Sequence, residues 1–134
     1  MIKYYKAWLT YLVFITVINV LGILSTAFMN GNKTFIDVIS QVITLIGLLG
    51  LFGYIKQVKI GSSLFWGIIF AVDLSLFLGT VIFGHMQAVE LSNEFGEVLP
   101  WDVELGLFLP FVVIFFPYWY GIFQYAFKSK SFWQ

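Results

Sequence analysis

One residue stands where its chemistry needs an explanation. Asp73 lies near the midpoint of a long apolar run, 62–86, where an aspartate facing lipid costs at least about 2.5–3.5 kcal/mol on insertion scales. Acids at that depth mark proton relays, cation sites or contacts to a cationic partner. No lysine or arginine falls within any of the four long apolar runs, so an ion pair inside this chain is not available. The polar side chains expected at matching depth are Thr16 and Asn19 in the first run, Thr44 in the second and Tyr118 in the fourth. Thr80 shares the Asp73 face of its own helix, with Ser62, Trp66, Gly84 and Gln87. Asp73, Asn19, Thr44 and Thr80 therefore form the candidate intramembrane polar site. Three readings are open: a neutral acid donating to Asn19 or to a backbone carbonyl, a titrating proton or cation site, or a counter-charge for a lysine or arginine on another protein.

Other chemistry finds little material. The chain has no cysteine, which excludes disulfides, iron–sulfur clusters and thiolate zinc sites. All seven basic residues are lysine, so the bidentate guanidinium usual for phosphate and carboxylate is missing. His85 is the single histidine. Its spacing to Glu90 and Glu94 matches no metal motif, and carboxylates with one histidine are a weak zinc signal. There is no H-E-x-x-H, no glycine-rich phosphate loop and no serine–histidine–acid set at a recognisable spacing. The expectation is a protein that is not an enzyme, with no metal and no cofactor.

The elements that position these residues follow from composition. Of 134 residues, 60% are apolar and 10% charged, with mean hydropathy +0.94. A soluble domain typically carries about 25% charged residues to cover its surface, so a cytosolic enzyme or a nucleic-acid binder is disfavoured. A helix crossing the bilayer needs about 20 mostly apolar residues. Four stretches qualify, 7–29, 35–55, 62–86 and 105–127, and they lack the alternation of barrel strands. The reading is an all-α integral membrane protein, one membrane domain over 1–134, built as a four-transmembrane-helix bundle. The first apolar run exceeds a signal-peptide core of 7–15 residues, so Ser25-Thr26-Ala27 is expected within an uncleaved anchor.

Lys3, Lys6, Lys56, Lys59, Lys128 and Lys130 fall on one side of four crossings and only Lys33 on the other. By the positive-inside rule both termini are cytoplasmic. Compactness and lysine-only basic loops suggest a bacterial inner membrane. Tyr4, Tyr5, Trp8, Trp66, Trp101, Phe132 and Trp133 are expected as an interfacial aromatic belt. The third loop, 87–104, is acidic through Glu90, Glu94, Glu97, Asp102 and Glu104. Its 87–98 segment has the spacing of an amphipathic helix lying on the membrane surface, with Asp102 as the cap of the last span.

Small residues suggest how the helices meet, since close approach and hydrogen bonds hold helices together in lipid. Ser63, Gly67, Ala71, Ser75 and Gly79 form a ridge at i, i+4 spacing on the third span, for a helix of this chain or a second copy. Ser40, Thr44, Gly47, Gly50 and Gly53 offer a seam on the second. Pro110 and Pro117 interrupt the fourth span, and Pro117 is expected to kink it. Tiny loops, no catalytic set, an acidic outer loop and a spare packing face together favour a non-enzymatic interaction protein: a complex subunit, an assembly factor or an immunity-type protein. Its partners would be the lipid bilayer and a membrane protein or further copies of itself, not nucleic acid. The alternative is a small oligomeric proton- or cation-coupled transporter or channel using Asp73.

Overall fold

The computed structural model describes residues 4–28, 34–96, 101–128 and 133. The order is α1 (Tyr5–Phe28), α2 (Phe35–Lys56), α3 (Ser63–Phe95) and α4 (Trp101–Phe123), ending in a π-helical turn over Gln124–Lys128. Among the described residues there is no strand. All four helices are long and apolar enough to cross a membrane, and helices satisfy their own backbone groups there. Local chemistry sets the ends. Thr34 and Asp37 form a reciprocal capping box at the start of α2, with the Thr34 N–H donating to Asp37 Oδ2 at 2.9 Å and the Asp37 N–H to Thr34 Oγ1 at 3.3 Å. The Ser62 hydroxyl accepts the Phe65 N–H at the start of α3.

The third helix differs from expectation. The segment 87–98 is not a separate surface helix: α3 runs unbroken for 33 residues to Phe95. No glycine or proline lies between Met86 and Phe95, so nothing stops the helix until Gly96 takes the left-handed conformation at φ 72°. At 1.5 Å per residue α3 is about 50 Å long, about 20 Å more than the hydrocarbon core. The expected loop 87–104 contracts accordingly. Glu90 is exposed on α3, Glu94 belongs to its last turn, and Glu97 lies outside the described residues. Because α4 begins at Trp101, Asp102 sits with Glu104 inside the first turn rather than at the cap, where acids complement the positive end of the helix.

The second helix is the hub, packing against α1, α3 and α4. Its buried glycines are filled by rings from the neighbours. A Cβ on Gly47 would sit 1.9 Å from the Tyr118 hydroxyl, one on Gly50 2.5 Å from the Trp66 ring, and one on Gly53 2.7 Å from the Tyr125 hydroxyl. Leu51 in turn fills the space at Gly121 of α4. Trp66 is therefore a core residue, 1% exposed, not a member of the interfacial belt. Its indole N–H finds the Ile60 carbonyl, which is what allows a tryptophan to be buried. Tyr125 ties the α2–α3 connection to the C-terminal turn: its hydroxyl accepts the Ile60 N–H at 2.9 Å and donates to the Val58 carbonyl at 2.6 Å.

The first helix meets α4 at the proline. Pro117 has no N–H for the Val113 carbonyl. One residue on, the hydroxyl of Tyr11 meets the backbone of α4. It accepts the Tyr118 N–H at 3.1 Å and donates to the Ile114 carbonyl at 2.7 Å. Trp8 adds a stacked contact to Tyr120 and an edge contact to Tyr54.

Candidate functional site

Above this packed region the helices part around a cavity of about 250 Å³, lined by Asn19 from α1, Ser40, Gln41 and Thr44 from α2, Asp73, Phe77 and Thr80 from α3, and Phe115 and Trp119 from α4. All four helices contribute. Asn19, Thr44, Asp73 and Thr80, separated by up to 61 positions in the chain, thus share one space.

Asp73 forms the floor and is 6% exposed. The Trp119 indole N–H donates to its Oδ2 at 2.8 Å, and the Thr44 hydroxyl lies 3.2 Å from its Oδ1. That hydroxyl also donates to the Ser40 carbonyl at 2.9 Å. Asn19 is not the partner of Asp73: its amide N–H donates to the Ile15 carbonyl at 2.8 Å, one turn back on its own helix. Thr80 likewise donates to Leu76 at 2.9 Å. Beneath Asp73, the fully buried Tyr118 donates to the Thr44 carbonyl at 3.3 Å and closes the floor.

Trp119, Phe77, Phe115 and Gln41 are the site residues that sequence reasoning missed. The Phe77 and Trp119 ring centroids are 4.6 Å apart at 60°, and those of Phe115 and Trp119 6.0 Å apart. The signal was present in part. Phe77 lies four residues after Asp73, hence on the same helix face, but five aromatics within a run of six, Phe115 to Tyr120, gave no way to select Trp119.

The small-residue ridge falls on the opposite side of α3, and the structure divides it. At the end near the termini, the Ser63 hydroxyl donates to the Ala126 carbonyl, and a Cβ on Gly67 would stand 3.2 Å from the Phe127 ring. Further along, Ala71 and Ser75 are exposed, and nothing lies within 4 Å of a Cβ at Gly79. Of the two prolines, Pro117 is half-buried at the Tyr11 contact and Pro110 is exposed; both lie inside α4.

The arrangement defines a class, a multi-pass helical protein with a polar cleft at membrane depth. Comparison with protein-family models, curated proteins and solved structures finds no match.

Proposed function

We propose that this chain is a non-enzymatic membrane protein that works by association within the bilayer, with the Asp73 cleft as its recognition element. The carrying observation is a polar cleft that holds one buried acid and is backed by a filled core: toward the end that carries both termini, Tyr118, Trp66, Tyr125 and Leu51 are each at most 1% exposed. A cleft backed in this way favours binding over conduction. We place the protein in a bacterial inner membrane with both termini cytoplasmic, a reading supported by the six lysines grouped at one end. A bend of α4 at Pro117, beside the point where the Tyr11 hydroxyl meets its backbone, would shape one wall of the cleft.

Two experiments test this. Co-purification in mild detergent is expected to recover a stoichiometric membrane partner with the wild type and to lose it with Asp73→Asn, while the variant stays monodisperse. The amide keeps the size of the carboxyl but cannot carry its charge, and a buried partner cation left unpaired destabilises the complex strongly. Topology is read by labelling: Ser92→Cys is expected to react with an impermeant thiol reagent outside the cell, and Ser129→Cys only after lysis.

Transport is the second reading. It is favoured by the convergence of Asn19, Thr44, Asp73 and Thr80 on one cavity. A pH-dependent proton or cation flux in liposomes that Asp73→Asn abolishes would replace association by transport.

A further inference from the structure

The lining of the cleft carries information about what enters it. Among the residues that line the cleft, Asp73 is the one acid and none is basic. Thr80 donates to the Leu76 carbonyl and Asn19 spends one amide hydrogen on the Ile15 carbonyl. The Asp73 carboxyl receives the Trp119 indole N–H on Oδ2 and has the Thr44 hydroxyl 3.2 Å from Oδ1. The cleft thus joins a single acidic group to neutral polar side chains. It suits a ligand that brings positive charge, and it disfavours an anion.

The remaining walls are aromatic: Phe77, Phe115 and Trp119 line the cleft, and Phe77 and Phe115 both pack on Trp119. An ammonium group gains from both a carboxylate and surrounding aromatic faces. Size narrows the choice further. About 250 Å³ is below the roughly 300–1,000 Å³ of pockets that enclose drug-sized ligands, so the cleft admits a head group and not a large molecule.

From these observations we infer that the cleft binds a small organic ammonium group, with Asp73 as counter-charge and Phe77, Phe115 and Trp119 as its aromatic walls. This rests on the reading of the cleft as the recognition element and names the chemistry recognised. The ammonium group has two sources, a free amine or the head group of an aminophospholipid or choline phospholipid.

The test is calorimetric titration of the full chain in nanodiscs of phosphatidylglycerol, which has no ammonium group. The probes are choline and its uncharged isostere 3,3-dimethyl-1-butanol. Choline is expected to bind saturably at one site per chain, the alcohol not at all, and Asp73→Asn is expected to weaken choline at least about tenfold. Phe77→Leu, which keeps the charge and removes one aromatic wall, is expected to weaken it several-fold. Repeating the titration with phosphatidylcholine or phosphatidylethanolamine in the disc identifies the source: loss of choline binding points to a lipid head group, and unchanged binding to a free amine. Equal binding of the alcohol, displacement of choline by millimolar sodium, or no binding of either probe overturns the inference. The alcohol comparison is made on the wild type, so it holds even if a variant fails to fold. If choline does not bind but Asp73→Asn still loses its protein partner, the ligand class falls and the cleft remains a contact site. If choline binds and no partner depends on Asp73, protein association is what fails.

Discussion

The two ends of the bundle use similar residues to opposite effect. Near the termini, the glycines of α2 are holes that aromatic side chains fill: Tyr118 at Gly47, Trp66 at Gly50 and Tyr125 at Gly53. On α3, the ridge Ala71–Ser75–Gly79 has the regular spacing of a packing seam, yet it is exposed and Gly79 has nothing near it. The difference lies in the neighbours. Small residues permit close approach, but a helix is drawn to the face where a partner has something to insert. Asp73 weighs on the same choice, because its acid stands opposite the ridge and gains hydrogen bonds only when its own face turns inward. Burial of Asp73 against Trp119 and Thr44 thereby points the ridge away from the other helices.

The sharpest way to break this contrast is to fill a hole at the packed end. Gly47→Leu is expected to leave little folded protein after extraction, because even a single Cβ there meets the Tyr118 hydroxyl at 1.9 Å. The milder Gly47→Ala is expected to cost about 1–3 kcal/mol by overpacking, read as a lowered midpoint in a detergent unfolding titration. A smaller effect is expected from Tyr11→Phe. It removes the hydroxyl that bonds both the Tyr118 N–H and the Ile114 carbonyl and costs about 0.5–1.5 kcal/mol. An unchanged midpoint would show that α4 closes its own ladder without α1. At the other extreme, Gly79→Leu is expected to leave the midpoint within about 0.5 kcal/mol of the wild type, since a Cβ there has no neighbour. A large loss at Gly79 would mean that the ridge is covered in the working protein, and would remove the contrast between the two ends.

How much was legible before the structure depends on how each residue earns its place. The four spans could be read because crossing lipid demands a long apolar helix whatever the neighbours are. Asp73 could be read because its cost is set by depth alone, and Asn19, Thr44 and Thr80 because depth is proportional to position along a helix. The extension of α3 to Phe95 was legible in principle, since 87–95 contains no breaker, but the drop in hydropathy past Met86 masks it. Hydropathy marks where lipid ends and says nothing of where a helix stops.

Azimuth and partner choice belong to the tertiary structure. Trp66 and Trp8 have the same composition and a similar place near a span's end, yet Trp66 fills a glycine in the core while Trp8 stays half-buried against Tyr54 and Tyr120. The Tyr11 hydroxyl bonds the backbone of α4 more than 100 residues away. Trp119, rather than Asn19, meets Asp73. By itself the sequence determined that four apolar helices form and at what depth each polar group lies, because those follow from a residue's own transfer energy. Only the packed bundle decided which way each helix turned and which ring entered which hole, because those energies arise between side chains that no local pattern brings together.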